Sequence, residues 1–374
     1  MHRTPLHQFH LDAGAKMVEF AGWEMPIMYR GVHEEHKQVR TAGGIFDVSH
    51  MGRVRIHGRH ARRFLERICT RRINDMQPGQ CRYSLLCNER GGVRDDILVY
   101  RVDDDDFLLV VNASNREKLM GHFAEQKDDM VLTIDDRTLQ TAMVAIQGPR
   151  VMEIIGKFSK EIPSLKRYRF AVKNLLVMKV TVSRTGYTGE DGIEAILPSG
   201  AIGMAMKLML KDIDPNAPDA PIKPIGLGAR DTLRMEAGMP LYGHELGEDI
   251  DALSCGVDFA ISLDKDGQEQ GEAFIGMEAL KKTRDNGGPA RKVVGLLLDG
   301  KRTARQGMKV LHDGAEVGEV SSACMSPTLD RPIAMAFVDA ALAAPGGAFE
   351  IDTGRDAKLS AQSCALPFYK AKKD

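Results

Sequence analysis

Two adjacent carboxylates at the start of an apolar stretch are the first candidates for chemistry. Segment 91–96 reads Gly-Gly-Val-Arg-Asp-Asp and leads directly into Ile-Leu-Val-Tyr. In an extended strand successive side chains point to opposite faces, so Asp95 and Asp96 are predicted to separate. Asp96 then shares a face with Leu98 and Tyr100, where burial raises a carboxyl pKa unless a cation or donor lies nearby. Taken alone, this pair is more simply interpreted as a turn that ends in acidic residues than as a functional site.

A second candidate is segment 183–194, Ser-Arg-Thr-Gly-Tyr-Thr-Gly-Glu-Asp-Gly-Ile-Glu. Its glycine spacing matches neither a dinucleotide fingerprint nor a phosphate loop, which disfavours phosphate binding. The pattern predicts a turn with close backbone approach, then a strand with Ile193, Ala195 and Leu197 on one face. Glu194 lies on the other, partly apolar face. Two interpretations stay open: a structural salt bridge, or a carboxylate that accepts two adjacent N–H groups of a ring such as an aminopyrimidinone.

Arg230 and Arg234 form a third candidate. They stand four residues apart in segment 226–236, so a helix places them on one face. Two like charges at this spacing destabilise a helix by about 0.2–0.5 kcal/mol unless anions neutralise them. Asp231 and Glu236 are the favoured partners within the chain, and a bound carboxylate or phosphate is the alternative.

The histidines give weaker signals. In His33-Glu34-Glu35-His36 the spacing differs from the His-Glu-x-x-His arrangement of zinc proteases, so we predict an exposed helix face and no metal site. His50 could act as a base. Without a recognisable nucleophile nearby, a hydrogen-bonded structural role is the commoner one.

A mixed fold is needed to position these residues. The acidic stretch 103–106 is predicted to join two strands as a hairpin. From about residue 290 the pattern changes to short strands separated by glycine and proline, which favours a small all-β domain. We therefore predict an α+β chain with regions 1–284 and 290–374, and pattern alone shows no boundary inside the first. The predicted helices are 59–69, 114–125, 202–210, 228–237 and 274–282, and the predicted strands include 96–100, 107–111, 143–147, 176–183 and 193–197.

Composition excludes several classes of protein. The 374 residues include 51 Lys and Arg against 52 Asp and Glu, a net charge of -1 that makes nucleic acid an unlikely main partner. No apolar run approaches the length of about 20 residues that spans a bilayer, so no membrane association is expected. The 6 cysteines form no C-x-x-C pair, and the first residues lack a targeting pattern, which predicts a reducing cytoplasm.

Short segments with a characteristic order and spacing occur along essentially the whole chain. They are Thr4-Pro5-Leu6, Phe20-Ala21-Gly22-Trp23-Glu24-Met25-Pro26, Phe46-Asp47-Val48-Ser49-His50-Met51-Gly52, Gly91-Gly92-Val93-Arg94-Asp95-Asp96, Gln147-Gly148-Pro149, Arg184-Thr185-Gly186-Tyr187-Thr188-Gly189-Glu190, Gly226-Leu227-Gly228-Ala229-Arg230-Asp231 and Ser326-Pro327-Thr328-Leu329. Together these segments resemble the glycine cleavage T-protein family, the tetrahydrofolate-dependent aminomethyltransferases, and their combined order and spacing are highly specific.

The resemblance implies three domains around a central folate cavity, the first two interleaved within 1–284 and built from discontinuous segments, the third a small β-barrel. It makes Asp96 the principal catalytic residue, against the N5/N10 side of the reduced folate, while Glu194 grips the aminopyrimidinone edge. The remaining folate contacts that it implies are Tyr83, Tyr100, Asn112, Tyr187, Met51, Arg230, Tyr369 and Arg305.

The implied reaction moves a one-carbon unit from an aminomethyl group, carried on the dihydrolipoyl arm of H-protein, to tetrahydrofolate. Ammonia leaves and 5,10-methylenetetrahydrofolate forms. Lipoylated H-protein is the implied direct partner, with functional association to the P-protein and L-protein, and no metal is implied.

The chain departs locally from the family pattern at Arg94, Ala252, Cys255 and Phe259. Free-standing folate-dependent demethylases that act on a sulfonium donor are the nearest alternative. A non-catalytic folate-binding protein that assists iron–sulfur assembly is a further alternative, but its Lys-Gly-Cys motif is absent here.

Overall fold

The computed structural model describes residues 1–175, 178–215, 217–354 and 357–371. The helices in these ranges are α1 (His7–Asp12), α2 (Val32–Thr41), α3 (Ala61–Ile68), α4 (Arg116–Lys127), α5 (Val151–Ile155), α6 (Glu161–Ser164), α7 (Ile202–Met209), α8 (Leu227–Glu236) and α9 (Met277–Asp285). The strands are β1 (His2–Arg3), β2 (Lys16–Phe20), β3 (Trp23–Met28), β4 (Gly44–Asp47), β5 (Gly52–His57), β6 (Cys81–Cys87), β7 (Val93–Asp103), β8 (Asp106–Val111), β9 (Thr133–Asp136), β10 (Thr141–Gln147), β11 (Phe170–Leu175), β12 (Met178–Ser183), β13 (Gly192–Pro198), β14 (Lys223–Pro224), β15 (Arg291–Leu298), β16 (Lys309–His312), β17 (Ala315–Ser326), β18 (Arg331–Asp339), β19 (Ala348–Asp352) and β20 (Lys358–Cys364).

These strands form open sheets and a closed barrel. A three-stranded sheet has the order β1-β3-β2, a six-stranded sheet β11-β12-β13-β10-β4-β14, and a five-stranded sheet β6-β7-β8-β5-β9. The barrel closes in the order β15-β18-β17-β16-β19-β20. The mixed composition and the C-terminal barrel confirm the predicted α+β class.

The six-stranded sheet has one apolar face. Ile193, Ala195 and Leu197 of β13 are buried in a core shared with β10, β12, α5 and α7. Glu194 points to the other face, directly opposite Ser183 of β12 and Ala145 of β10. The alternation predicted for this strand is therefore confirmed.

In the rest of the chain, the predicted helices and strands agree closely with the observed ones. Strands β7 and β8 pair antiparallel across the acidic turn, with Leu98 opposite Val110, which confirms the hairpin. Helices α3, α4, α7, α8 and α9 each lie on a predicted helix to within a few residues. The predicted strand 176–183 is β12, and its residues 176 and 177 lie outside the described part.

The chain divides into two compact units, each built from three segments. The first comprises Met1–Phe64, Asp75–Tyr83 and Ile97–Asp231, and the second comprises Leu65–Asn74, Ser84–Asp96 and Thr232–Asp374. Each unit thus gathers residues distant in sequence, which explains why composition shows no boundary inside 1–284. The domain limits 1–284 and 290–374 remain predictions.

The exposed helix face predicted for residues 33–36 is wrong for Glu35 and His36. Both side chains are buried, and the Glu35 carboxylate binds backbone N–H groups around it. It accepts N–H donation from Tyr29 at 2.7 Å, Arg30 at 2.9 Å and Gly226 at 2.8 Å. No group of three or more His, Cys, Asp or Glu suited to a metal ion occurs among the described residues.

Candidate active site

The segment between β12 and β13 is pinned by one buried amide in the first unit. Gln147 at the end of β10 is fully buried, and its Nε2 donates to the carbonyl oxygens of Thr185 and Ile193, each at 3.1 Å. Its Oε1 accepts the hydroxyl of Thr188 at 3.1 Å. A β-carbon on Gly186 would overlap this amide. The close backbone approach predicted for this segment is confirmed.

We expect Gly186→Ala to lower the free energy of unfolding by about 1–3 kcal/mol, because Gln147 cannot retreat without losing its hydrogen bonds. The matched control is Gly203→Ala in α7, where an added methyl group meets nothing within 4 Å. That control should gain roughly 0.5–1 kcal/mol through helix propensity. Urea denaturation measures both changes. Equal stability of Gly186→Ala and the unaltered protein would contradict this account.

Ion pairs occupy two of the acids in the same segment. Arg40 donates to Glu190 at 2.8 Å and to the carbonyl of Thr188 at 2.7 Å, and both charged side chains are buried. Arg184 donates to both oxygens of Asp191, at 2.6 and 2.8 Å. These pairs hold the loop in place, since buried or bidentate pairing satisfies each charge. Glu190 and Asp191 are therefore structural acids.

Glu194 differs from these two acids. Its side chain is buried, and one carboxylate oxygen accepts the Thr185 hydroxyl at 2.5 Å. The Thr185 and Ser183 hydroxyls lie 2.6 Å apart, and Ser183 lies 3.1 Å from the hydroxyl of Tyr100. A line of hydroxyl groups thus leads from the fully buried Tyr100 to the carboxylate. Sequence analysis did not assign Thr185 or Ser183, because the antiparallel register that places Ser183 opposite Glu194 is set by the pairing of β12 with β13.

No cation pairs with Glu194 within 4 Å in the described part of the chain, so the salt-bridge interpretation is wrong. Burial raises the pKa of its carboxyl group, while the Thr185 hydroxyl and the charge of Arg230 act in the opposite direction. A buried carboxylate with one hydroxyl donor has unused acceptor capacity. It is suited to a ligand that presents adjacent N–H groups.

Arg230 of α8 belongs to the same unit as Glu194. Its guanidinium carbon lies 4.8 Å from the ring centroid of Tyr187, a cation–π contact. Burial lowers the pKa of Arg230, and its Nη1 has no hydrogen-bond partner among the described residues. No described acid forms an ion pair with Arg230, so the pairing predicted with Asp231 or Glu236 is wrong for this residue.

Arg234 has an acid partner that sequence analysis missed. In the second unit it donates to Glu245 at 2.9 Å and to Ser322 at 2.9 Å, and both charged side chains are almost fully buried. Glu245 also accepts the Ser321 hydroxyl at 2.6 Å. Glu236 accepts the Thr328 hydroxyl at 2.7 Å. Such long-range pairs carry no local sequence signal.

His50 is a buried histidine without a hydrogen bond among the described residues, so the hydrogen-bonded structural role is wrong. Its ring stacks edge-on against Phe20, with centroids 5.6 Å apart. Burial and the positive charges of Arg230 and Arg53 lower its pKa to about 3. The ring is therefore neutral at physiological pH.

This pKa predicts a pH dependence of stability. Between pH 6.5 and about 3 the unfolded chain binds a proton that folded His50 does not, so the folded state loses stability as pH falls. We expect His50→Gln to remove a slope of up to about 1.4 kcal/mol per pH unit in this window. Denaturation curves across the window test it, with His57→Gln on β5 as control. Parallel slopes for His50→Gln and the unaltered protein would refute the assignment.

Asp96 lies near the start of β7, in the second unit. Asp95 is fully buried and Asp96 is half-buried, which confirms that the two carboxylates face opposite sides. Arg94, one of the departures from the family pattern, lies 3.4 Å from Glu89 and 3.8 Å from Glu248. Its charge is thus held by acids flanking the strand.

The other candidates are distributed over both units. The first unit contains Tyr83 on β6, Asn112 after β8, and Met51 before β5, all half-buried. The second contains the exposed Arg305 and the half-buried Tyr369, whose backbone N–H donates to the carbonyl of Glu236 at 2.8 Å. Within the first unit, the structure brings together Glu194 and Tyr100 through hydroxyl groups, and Arg230 with Tyr187.

Comparison with known proteins decides the family. Residues 6–265 match the GCVT N-terminal domain, and residues 291–370 match the glycine cleavage T-protein C-terminal barrel domain. This chain belongs to the glycine cleavage T-protein family of aminomethyltransferases. A Rubrobacter xylanophilus protein named aminomethyltransferase is 42% identical over 100% of this chain and 96% of its own length. Another, from Oceanobacillus iheyensis, is 38% identical over 98% of each chain.

A solved structure extends the family match to the whole fold. The glycine cleavage system aminomethyltransferase T from Bartonella henselae aligns with a TM-score of 0.89 and 30% identity, covering 99% of both chains. Among the family departures, Ala252 and Cys255 are buried, and Phe259 is 62% exposed. Ala252 begins a short 3₁₀ turn, which Asp251 caps through the N–H of Leu253 at 2.8 Å.

Proposed function

We propose that this chain transfers the methylene carbon of S-aminomethyl-dihydrolipoyl H-protein to tetrahydrofolate. The methylene carbon loses its bond to the amino nitrogen, which leaves as ammonia, and its bond to the lipoyl sulfur. It forms new bonds to two nitrogens of the folate. The products are ammonia, 5,10-methylenetetrahydrofolate and the free dihydrolipoyl arm. Glu194 carries the proposal, because it is a buried carboxylate with a single hydroxyl donor and no ion pair among described residues.

The residues of the first unit fit a reduced folate. An aminopyrimidinone edge offers two adjacent N–H groups, and the two oxygens of Glu194 can accept both. The hydroxyls of Thr185 and Ser183 orient this carboxylate, with Tyr100 behind them. Arg230 and Tyr187 supply a cation and an aromatic face, and Tyr83, Asn112 and Met51 complete the proposed contacts in this unit.

Asp96 is the proposed catalytic residue. Tetrahydrofolate supplies the amines that accept the carbon. The Asp96 carboxylate orients the reacting amine and stabilises the positive charge that develops as ammonia leaves. A fixed carboxylate needs no reorganisation at the moment of reaction, so it favours the transition state over the bound substrates. Arg305 and Tyr369 are proposed as further folate contacts in the second unit.

Lipoylated H-protein is the proposed direct partner, working with the P-protein and L-protein of the same system. We propose the cytoplasm as the compartment, and all 6 cysteines are free thiols, as expected in reducing surroundings. No helix in the described ranges combines the length and apolarity needed to cross a bilayer.

The deciding experiment compares two donors. The purified protein is incubated with tetrahydrofolate and either aminomethylated H-protein or a methylsulfonium compound, and ammonia, methylenetetrahydrofolate and methyltetrahydrofolate are measured. We expect ammonia and methylenetetrahydrofolate in equal amounts, with the H-protein donor only. Activity with the sulfonium donor alone would replace the proposal by a demethylase, and folate binding without either activity would indicate a non-catalytic protein.

A further inference from the structure

His50 is a buried polar side chain whose ring forms no hydrogen bond within the described part of the chain. It is 3% exposed, and its Nδ1 is fully enclosed without a partner among those residues. Phe20 packs edge-on against the ring, with the two centroids 5.6 Å apart. A buried nitrogen without a hydrogen bond lowers the stability of the fold. Such a group points to a ligand that supplies the missing partner.

The loop that carries His50 is tied to the sheet, which limits the positions that the ring can take. The Asp47 carboxylate accepts the N–H of Ser49 at 2.8 Å. The Ser49 hydroxyl accepts the N–H of Met143 at 3.0 Å and donates to the carbonyl oxygen of the same residue at 3.1 Å. The N–H of Val48 also donates to that oxygen, at 3.0 Å. A fixed loop loses little conformational entropy on binding, which favours a preformed contact.

His50 and Glu194 lie near the same guanidinium group. Burial lowers the pKa of His50, and the positive charge of Arg230 lowers it further. Burial raises the pKa of Glu194, and the same charge opposes that rise. Charges shift a pKa in this way at short range. Strand pairing agrees, because Ala145 lies opposite Glu194 on one side and Phe46 on the other, and β4 leads from Phe46 into the loop that carries His50.

Arg230 and His50 offer opposite hydrogen-bonding groups. Arg230 Nη1 is a donor without a partner among the described residues, and the neutral ring of His50 has an acceptor nitrogen. Along the edge of a reduced pterin, the 2-amino group and N3–H are followed by the C4 carbonyl oxygen and then by N5–H. The carboxylate of Glu194, the guanidinium of Arg230 and the ring of His50 match these groups in the same order, as acceptor, donor and acceptor.

We infer that the His50 ring accepts a hydrogen bond from N5–H of tetrahydrofolate and makes the site specific for folates that carry this hydrogen. N5 of the reduced pterin is pyramidal, with two ring carbons, one hydrogen and one lone pair. A hydrogen bond that fixes the hydrogen therefore also fixes the direction of the lone pair, which must point at the methylene carbon. The inference rests on the proposed function and adds a residue that orients its nucleophile.

The test compares tetrahydrofolate with 5-deazatetrahydrofolate, in which a CH₂ group replaces N5–H and the rest of the pterin is kept. Calorimetric titration under reducing conditions measures both dissociation constants. We expect the unaltered protein to bind tetrahydrofolate roughly 5- to 30-fold more tightly, the effect of one buried hydrogen bond. His50→Phe should bring this ratio close to one. His50→Gln, whose amide oxygen accepts N–H donation, should keep part of it.

The matched control is His57→Phe, which makes the same change at a half-buried histidine of β5 and should keep the ratio. An equal loss of affinity for both ligands in His50→Phe would assign His50 a structural role. An unchanged ratio in His50→Phe would place the acceptor on another residue.

The unaltered protein decides the inference even where His50→Phe fails to fold. Equal affinities for the two ligands would show that N5–H has no acceptor in the site. Failure of the proposed function is recognised separately, because the unaltered protein would then release no ammonia from aminomethylated H-protein in the presence of tetrahydrofolate.

Discussion

Asp96→Asn is expected to lower kcat by about 10²- to 10³-fold, the usual effect of removing one preorganised electrostatic contact from a transition state. The amide keeps the size and shape of the carboxylate, and the residue is only half-buried at a strand end, so the fold should persist. Tetrahydrofolate affinity should change little, because the lost charge acts mainly as ammonia leaves. Single-turnover ammonia release and folate titration separate these two quantities.

Asp249→Asn is the matched control for this prediction. Asp249 is exposed and pairs with Arg90 at 2.9 Å, so the same change from carboxylate to amide can be made there. Exposed pairs of this kind contribute about 0–1 kcal/mol, so kcat should stay unchanged. Near-full turnover of Asp96→Asn would remove Asp96 from the chemistry. An equal loss in folate affinity and kcat would make it a binding residue instead.

Glu194→Gln is expected to weaken tetrahydrofolate binding by about 2–4 kcal/mol, or roughly 30- to 1,000-fold in Kd. The amide has only one acceptor oxygen and no charge, so two adjacent N–H groups lose their paired acceptor. Calorimetric titration measures the change. Glu153→Gln, at an exposed position of α5, is the control and should bind as the unaltered protein does.

The same variant distinguishes a ligand-binding acid from a structural one. Burial raises the pKa of Glu194 above its ordinary value of 4.5, so ionised Glu194 costs stability at neutral pH. Glu194→Gln should therefore be at least as stable as the unaltered protein at pH 7.5, with the difference disappearing below about pH 4. A clear loss of stability at neutral pH, with folate affinity intact, would indicate a structural role.

Binding should also depend on pH in the unaltered protein. N–H donors bind the ionised form of Glu194, and the free carboxyl group has a raised pKa, so tetrahydrofolate binding should release a proton and weaken as pH falls through that pKa. The dependence should be absent in Glu194→Gln.

Strand alternation accounts for the part of the candidate site that could be predicted. Asp95 and Asp96 separate to opposite faces, and Glu194 lies opposite the apolar core of β13, as predicted. The hairpin of β7 and β8 and the barrel after residue 290 also follow from local patterns. These features depend on the two-residue period of extended chains and on turn residues, which are both visible in a short window.

Packing between separate segments of the chain decided which partners the charged side chains have. The partner of Arg234 is Glu245, the hydroxyl on Glu194 comes from Thr185, and Gly226 donates its N–H to Glu35, 191 residues away. His50 and Arg230 also acquire their lowered pKa values from surroundings that several elements create.

The sequence by itself predicted the family and the fold class, and strand alternation predicted the faces of Asp95, Asp96 and Glu194. The tertiary structure alone decided which charges are paired and which are left unpaired. The reason is physical: side-chain direction follows from backbone period within a few residues, whereas burial and hydrogen-bond partners depend on contacts between segments far apart in the chain. Glu194 was implied as a folate contact by resemblance, and the structure adds that it is buried and forms no ion pair with any described residue.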